Sequence, residues 1–332
     1  MKKYITPALV LWFLAPVFGE LFSGSTPLNE YLNPFTILVF GMLYGSGAIL
    51  IRELIVRWKK GWPSLLLLGL AYGIFEEGLL VRSFFDPGWM DLGKLSIYGR
   101  AGEVNWLWAE HLTIYHALIS IAASIVFVEI LFPARRGEPW LGPRGLTWNA
   151  LFFAASLPIG ALLNPYEAPD FLLGMCWLAI AALTLAAWRI PAPAPASTSA
   201  RAGSPWFFFG FSFLATFGQF FIVYLTGEKE SPSFVVTMFL LAAYDLCLLW
   251  ILRRRSGNFT AWDDRHRIAL INGALTFFLL IGPLTTGGQY PIMTVSNPIF
   301  FFLLLWTAHQ VDRRVTAERA AQTTNVPPVN PS

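Results

Sequence analysis

The sequence predicts an all-α, polytopic integral membrane protein, and three observations support this fold class. Of the 332 residues, 55% are hydrophobic and 13% are charged, about half of the ~25% charged share of a soluble domain. Apolar stretches near the ~20 residues that span a hydrocarbon core recur along the whole chain. Basic residues cluster in alternate connecting segments, which is the pattern of a multi-pass protein.

Ten apolar segments are long enough to be transmembrane helices. Their predicted limits are 4–22, 35–56, 63–85, 105–132, 147–163, 170–188, 206–226, 234–252, 268–284 and 293–310. Because each span reverses the direction of the chain, an even number of spans places both termini on the same side of the membrane.

The distribution of basic residues predicts which side that is. With a cytoplasmic N-terminus, 18 of the 23 lysines and arginines fall in cytoplasmic segments, and only Lys94, Arg100 and Lys229 fall in outer segments. The remaining two, Arg52 and Arg82, lie within spans. This bias follows the positive-inside rule at every loop. The sequence therefore predicts ten spans in the cell membrane with both termini cytoplasmic. The net charge of +3 reflects topology, so the expected partner is membrane lipid and not nucleic acid.

One composition shift divides the chain. Residues 190–205 are rich in Pro, Ala and Ser and predict an extended cytoplasmic linker. It separates a first part of the membrane domain, residues 1–189 with six spans, from a second part, residues 206–310 with four. Residues 311–332 are polar and predict a disordered cytoplasmic tail. Cys176 and Cys247 both lie inside apolar spans and show neither a disulfide framework nor a metal-ligand spacing. No metal site and no cofactor are predicted.

Two adjacent carboxylates, Glu76 and Glu77, stand in the third span, where charge is costly and usually functional. At 1.5 Å per residue they lie about 13 Å below the outer boundary, with His111 at about 9 Å and His116 at about 17 Å on the next span. Consecutive spans are usually neighbours. The sequence therefore predicts an outward-facing polar pocket.

Further residues are expected to line or support this pocket. Asn105, Glu110 and Tyr115 lie on or beside the fourth span, and Arg82 follows the two glutamates. Asp245 lies near the middle of the eighth span without a basic residue within a helical turn. A carboxyl at that depth must be protonated or paired with another helix, so Asp245 is also a candidate.

These residue types favour metal-independent hydrolysis. Two neighbouring carboxylates in a low dielectric cannot both ionise easily, so Glu77 is expected to act as general base with Glu76 as its proton-sharing neighbour. His111 or His116 would be the second catalytic group. Arg82 would stabilise an anion or anchor the helix end, and Asn105 could also stabilise an oxyanion.

The segment Glu76-Glu77-Gly-Leu-Leu-Val-Arg82, with histidines on the next span, resembles the CPBP family of intramembrane glutamic proteases, related to the CAAX prenyl endopeptidases. The family motif is EExxxR, and the resemblance covers these seven residues and, more loosely, Tyr115-His116. It implies an intramembrane protease acting on a membrane-embedded peptide or lipid substrate. Four residues separate Glu77 from Arg82 here, which places Arg82 about 140° around a regular helix from Glu77.

Two alternatives remain open. Intramembrane carboxylates also suit a secondary transporter or permease coupled to ions or protons, and Asp245 favours this hypothesis because a hydrolase confined to spans three and four does not need it. The second alternative, which is the third hypothesis after the hydrolase and the transporter, is a transferase acting on a lipid-linked substrate at the outer leaflet. Its acidic outer segments could hold a divalent cation through oxygen ligands.

Overall fold

The computed structural model describes residues 5–90, 92–192, 202–285 and 289–324. Helices account for most of these residues, and the only strands among them form a two-residue hairpin, Arg100–Ala101 against Val104–Asn105. Eight of the described helices are long and apolar enough to cross a membrane. The predicted fold class is therefore confirmed, and the protein is an all-α, multi-pass membrane protein.

Each of the ten predicted spans coincides with a helix. In chain order the helices are α1 Pro7–Leu21, α2 Pro34–Arg57, α3 Trp62–Leu80, α4 Trp106–Leu131, α5 Pro143–Leu163, α6 Asp170–Arg189, α7 Pro205–Lys229, α8 Phe234–Arg255, α9 Asp264–Thr285 and α10 Met293–Thr324. The eight that satisfy both length and hydropathy are α2 to α9. Helix α1 is apolar but shorter, and α10 is not among the eight because polar residues also interrupt its apolar stretch.

Several helices begin where a capping residue precedes a proline. The side chains of Thr6, Asn33 and Ser204 each accept a hydrogen bond from a backbone N–H in the first turn of α1, α2 and α7. A proline follows each of them at the first helical position, where its missing N–H costs nothing. These local signals explain why the three helix starts could be predicted within a few residues.

The helices form a buried centre and a lipid-facing rim. Most residues in the apolar windows of α2, α3, α4 and α9 are buried, whereas α5, α6, α7 and α8 bury less than a quarter of theirs. In water, such exposed apolar helices would be unstable, but in a bilayer hydrocarbon covers them. The centre is therefore the place where polar side chains can be kept away from lipid.

Glycines allow α3 and α4 to approach closely. A Cβ atom at Gly69 would lie 2.8 Å from the Ala117 Cα atom, and one at Gly73 would lie 2.9 Å from the Thr113 Cα atom. Gly69 and Gly73 are one helical turn apart, which is the small-xxx-small arrangement of membrane helix pairs. The same arrangement recurs on α2, where Gly41 and Gly45 face Trp12 of α1.

Four of these helices contain π-helical turns, with i→i+5 hydrogen bonding. The π-helical segments are Val17–Leu21 in α1, Gly41–Gly45 in α2, Phe75–Leu80 in α3 and His116–Ala123 in α4. Such turns are rare and concentrate at functional sites. Each one rotates the side chains that follow it relative to a regular α-helix.

Helix α3 ends at Leu80, so the predicted limit at residue 85 was wrong. The chain leaves the helix because Arg82 adopts a left-handed conformation, with φ of 60°. Ser83 and Phe84 did not lower the mean hydropathy enough to end the predicted span before residue 85. In the structure both residues are buried, but they lie outside the helix. Non-helical backbone at this depth is tolerated because protein, not lipid, surrounds it.

The predicted tail boundary was also wrong. Helix α10 continues to Thr324, because the segment after the apolar stretch is rich in Ala and Arg, which are good helix formers. Arg314 donates hydrogen bonds to the Ile130 carbonyl and to Asp264, and Val311 and Val315 are buried. Residues 325–332 of the predicted tail lie outside the described residues.

The linker at residues 190–205 divides the sequence but not the fold. Its central residues, 193–201, lie outside the described part of the chain. The helices that follow it pack on those that precede it: α9 contacts α4 through the rings of Phe278 and Tyr115, whose centroids lie 5.6 Å apart. The two predicted parts of the membrane domain therefore share one core.

Candidate functional site

The four π-helical segments meet at one cluster of polar side chains. Each segment contributes to it, and the contributing residues are Glu20 from α1, Tyr44 from α2, Glu76 and Glu77 from α3, and His116 and Ser120 from α4. Every helix of this group therefore departs from regular geometry at the residue that it supplies. We refer to these six residues as the polar cluster.

His116 lies between the two adjacent carboxylates. Its Nε2 atom is 2.8 Å from Glu77 Oε1, and its Nδ1 atom is 3.1 Å from Glu76 Oε2. The contact with Glu76 lacks good hydrogen-bond geometry, and Nδ1 also lies 3.0 Å from the Ser120 hydroxyl. All three side chains are at least nine-tenths buried. The predicted convergence of Glu76, Glu77 and His116 is thus present.

The second oxygen of Glu77 is also occupied. Its Oε2 atom accepts a hydrogen bond from the Ser83 hydroxyl, which in turn accepts one from the Trp108 indole N–H at 3.2 Å. Ser83 belongs to the non-helical segment just after α3, and its side chain is fully buried. The early end of α3 therefore lets the chain turn back and orient the carboxylate of its own last turn.

Glu76 is connected to a third carboxylate through a tyrosine. The Tyr44 hydroxyl lies within hydrogen-bond distance of both Glu76 Oε1 and Glu20 Oε1. The other oxygen of Glu20 accepts a hydrogen bond from the Thr26 hydroxyl at 2.7 Å. A continuous polar path therefore runs from the connection after α1 to His116.

Close helix packing brings the cluster together. Gly73 lies one turn before Glu76, and a Cβ atom there would come within 3.3 Å of the His116 Cβ atom. A larger residue at this position would separate α3 from α4 at the level where the carboxylates meet the imidazole. The glycine therefore sets the distance between the two halves of the site.

Arg82 does not reach the carboxylates in this structure. Its Nη1 atom donates a hydrogen bond to the Tyr166 carbonyl oxygen at 2.5 Å, in the connection between α5 and α6. The extra residue in the motif and the left-handed backbone together direct the guanidinium away from Glu77. The expected anion-stabilising contact is therefore absent, and the geometry fits the alternative role as an anchor of the helix end.

His111 lies apart from the hydrogen-bonded cluster. Both ring nitrogens are buried, and neither has a hydrogen-bond partner among the described residues. The ring packs edge-on against Phe220 of α7, with centroids 4.7 Å apart. Because His111 and His116 are five residues apart on α4, they point in different directions, and only His116 faces the glutamates.

Asn105 and Tyr115 have structural partners. Asn105 caps α4 by accepting a hydrogen bond from the Trp108 N–H at 3.1 Å, and its amide donates to the Leu95 carbonyl at 2.6 Å. The Tyr115 hydroxyl donates to the Gly19 carbonyl at 2.7 Å, and its ring lies edge-on to the His116 ring. Asn105 is thus placed to order the outer connection, and Tyr115 is placed to position α1 and His116.

Glu110 and Asp245 form a second acidic pair. They belong to α4 and α8, and the charge of Asp245 acts on the Glu110 carboxyl. Each has one buried carboxyl oxygen without a hydrogen-bond partner among the described residues. Neither residue contacts the polar cluster in the described hydrogen bonds. The predicted pocket therefore separates into two places, one around His116 and one around this pair.

The sequence interpretation overlooked Glu20, Tyr44, Ser83 and Ser120. Glu20 stands at the end of an apolar run, where a carboxylate is commonly only a helix boundary. Serines and tyrosines inside membrane spans are too frequent to indicate a site. The one usable signal was the glycine spacing around Tyr44, because Gly41 and Gly45 predict a close helix contact at its level.

The donor atoms of Glu76, Glu77 and His116 could also hold a metal ion. One donor atom from each residue lies within 4.8 Å of the other two, and two carboxylates with one imidazole are an accepted ligand set for zinc. In the present arrangement, however, the two ring nitrogens face different carboxylates. The imidazole itself therefore occupies the position between the carboxylates that a shared ion would need.

Comparison with known proteins gives one match. No curated protein and no solved structure matches the chain. A family model described as an uncharacterized membrane protein family matches residues 9–327. That range includes every residue of the polar cluster and nearly all of the ten helices. The chain therefore belongs to this uncharacterized membrane protein family.

Proposed function

We propose that the protein is an intramembrane hydrolase that uses Glu77 and His116 in the outer half of the membrane. The observation that carries the proposal is the imidazole of His116 between two buried carboxylates, 2.8 Å from Glu77 and 3.1 Å from Glu76. A base and a proton donor in direct contact are the minimum that hydrolysis at a carbonyl requires.

The residues would divide the chemistry as follows. Glu77 takes a proton from a water molecule whose oxygen adds to the substrate carbonyl carbon. His116 gives a proton to the leaving group as the bond between that group and the carbonyl carbon breaks. The proton that Glu77 received then passes to His116 and restores its protonated form. Ser83 holds the second oxygen of Glu77 and so fixes the direction of its free lone pairs.

Glu76 supports this exchange without being the base. It faces Nδ1 of the same imidazole, on the opposite edge from Glu77. A negative charge there stabilises the protonated ring, just as a buried carboxylate orients and stabilises the histidine of a hydrolase triad. Loss of Glu76 should therefore weaken the reaction less than loss of Glu77.

The substrate class follows from the surroundings of the cluster. Lipid-facing helices border the centre of the protein, so a substrate that is itself in the membrane can approach the centre from the side. A membrane-embedded peptide or an acylated lipid fits best. The resemblance of Glu76-Glu77 and the following arginine to the CPBP motif favours a peptide.

Cleavage of a library of transmembrane peptides by the protein in proteoliposomes, read by mass spectrometry, tests this function. We expect Glu77→Gln to reduce cleavage by about 10²- to 10⁴-fold, the usual contribution of a positioned base. Glu228→Gln, on an exposed side chain paired with Lys94, serves as the matched control. Cleavage that persists in Glu77→Gln, or no cleavage of any peptide by the wild type, would count against a protease.

A second candidate function is proton-coupled transport, favoured by the Glu110–Asp245 pair. Two carboxyls on membrane helices, each with an unpartnered buried oxygen and neither in an ion pair with a lysine or arginine of the described residues, suit reversible protonation. Dissipation of a pH gradient by proteoliposomes, followed with an entrapped dye, measures this activity. Asp245→Asn should abolish it under the transport hypothesis and leave peptide cleavage unchanged under the hydrolase hypothesis.

A further inference from the structure

We propose that Glu20, Tyr44 and Glu76 form a proton relay that connects the outer end of α1 with His116. This relay goes beyond the hydrolase proposal, because it rests on the hydrogen-bond geometry and applies to any reaction that moves protons at His116. It assigns a function to Glu20 and Tyr44, which the proposed hydrolysis does not use.

The path consists of adjoining contacts. The Tyr44 hydroxyl is within hydrogen-bond distance of Glu20 and of Glu76, and Glu76 Oε2 lies 3.1 Å from His116 Nδ1. The next contact, from His116 Nε2 to Glu77, is 2.8 Å. No step in this series requires a side chain to swing across the site.

Counting hydrogens shows that the path stores a proton. A tyrosine hydroxyl has one hydrogen, so Tyr44 can donate to only one of its two carboxyl neighbours. The other carboxyl can approach the same oxygen at hydrogen-bond distance only if it carries a proton and donates it to Tyr44. Either Glu20 or Glu76 is therefore protonated in this arrangement.

The charges around the path support the same conclusion. The titratable groups that face it are Glu20 from α1, Tyr31 from the connection after α1, Tyr44 from α2, Tyr72, Glu76 and Glu77 from α3, and Tyr115 and His116 from α4. Among the described residues, no lysine or arginine forms an ion pair with the three carboxylates. Two buried carboxylates and the partly exposed Glu20, with a single imidazolium, would carry uncompensated negative charge, which a stored proton reduces.

Glu20 is the entrance to the path. It is partly exposed, whereas Tyr44, Glu76 and His116 are buried. Its second oxygen accepts from Thr26 in the connection that follows α1. In one transfer, protonated Glu20 gives its proton to the Tyr44 oxygen while the Tyr44 hydrogen moves to Glu76. Tyr44 is unchanged after the transfer, and the proton now lies on Glu76.

The exchange of carboxyl hydrogen for deuterium tests the relay without any substrate. The purified protein in lipid is moved into D₂O, and the shift of the protonated-carboxyl infrared band is followed in time. We expect Tyr44→Phe to slow a component of this shift by on the order of 10²-fold, the lower end of the effect of a positioned proton donor. The wild-type rate in Tyr44→Phe would overturn the relay.

Two further variants separate the relay from a loss of structure. Tyr98→Phe removes a buried hydroxyl that lies outside the polar cluster and donates to the Pro232 carbonyl at 2.6 Å, not to a carboxylate, so it should exchange at the wild-type rate. The double variant Glu20→Gln, Glu76→Gln should lose part of the protonated-carboxyl band. An undiminished band would overturn the stored proton, whatever the result of the peptide-cleavage assay.

Discussion

At the scale of single residues, two histidines of one helix have opposite surroundings. His116 contacts two carboxylates and a serine hydroxyl, whereas His111 is buried among aromatic rings without a hydrogen-bond partner for either nitrogen in the described structure. The sequence made them equal candidates, because both lie in the outer half of one span. Because the two residues are five positions apart on the helix, their side chains point in different directions, and this difference distinguishes them.

The surroundings of His111 predict that its polarity is not needed for folding. Replacing His111 with Leu removes a buried polar ring that the protein does not satisfy, so we expect thermal stability in detergent to stay the same or to rise by about 1–3 kcal/mol, the cost of an unsatisfied buried group. The equivalent change His116→Leu should lower stability. A clear loss of stability in His111→Leu would show that its nitrogens have a partner after all.

At the scale of elements, the site depends on where regular α-helix stops. Glu77 lies three residues before the end of α3, whereas His116 lies ten residues into α4, so α3 ends about 10 Å deeper than α4 begins at 1.5 Å per residue. The residues from Val81 to Phe84 bridge this difference as non-helical chain, with Ser83 and Phe84 buried, and they place Ser83 on Glu77. Hydropathy alone extends α3 through this segment because apolar residues flank Arg82 and Ser83 on both sides.

The contact between α3 and α4 predicts a specific effect of glycine substitution. Gly73→Ala would place a Cβ atom 2.9 Å from the Thr113 backbone, so we expect a loss of about 1–3 kcal/mol of stability from overpacking. Gly210→Ala in α7 is the matched control, because a Cβ atom there meets nothing within 4 Å. Thermal melting of the two variants in detergent measures the difference, and equal melting temperatures would contradict the close contact.

The connection between α8 and α9 predicts a pH dependence. Burial by itself would raise the pKa of the Asp263 carboxyl, but the hydrogen bond with His266 and the charge of Arg265 outweigh it and hold the pKa below its usual range. A depressed carboxyl pKa stabilises the fold fully above the ordinary value of about 3.9 and progressively less as the pH falls below it.

The variant Asp263→Asn isolates this contribution. Its melting temperature should lie below that of the wild type near neutral pH, and the gap should close as the pH is lowered below about 4. Asp170→Asn, on an exposed residue at the start of α6, should show no such change. A gap that widens on acidification would contradict the assigned direction.

At the scale of the whole molecule, the helices separate into a polar-containing centre and an apolar rim. Helices α1 to α4 carry the polar cluster, and α9 closes the centre from the second part of the sequence. On the side predicted to be cytoplasmic, Asp264 of α9 holds Arg136 and Arg314 through hydrogen bonds of 2.7 to 2.8 Å. The chain on both sides of the linker is therefore required for one structure.

The predicted orientation in the membrane can be measured directly. In a background where Cys176 and Cys247 are replaced by Ser, a membrane-impermeant thiol reagent should label Lys94→Cys on intact cells, because the side chain is about half exposed in the outer connection. Arg254→Cys, at the exposed end of α8, should react only after permeabilisation. The reverse pattern would invert the topology and place the cluster in the inner half.

Much of the fold could be predicted because membrane insertion depends on properties that are local in the chain. The apolar lengths located all ten helices, and the proline and capping residues located several of their starts. The end of α3 at Leu80 depends on tertiary burial of the residues that follow it, whereas the extension of α10 to Thr324 combines local helix propensity with the contacts of Arg314 to Ile130 and Asp264.

The sequence by itself determined the membrane class and the approximate spans, and it marked Glu76, Glu77, His111 and His116 as candidates, because polar groups inside an apolar span are visible without any structure. Only the tertiary structure decided which side chains face one another. It directed Arg82 and His111 away from the cluster, left Glu110 and Asp245 outside its hydrogen bonds, and brought Glu20 and Tyr44 to Glu76. The physical reason is that π-helical turns and glycine contacts set the rotation and spacing of helices, and both depend on neighbours that are distant in sequence.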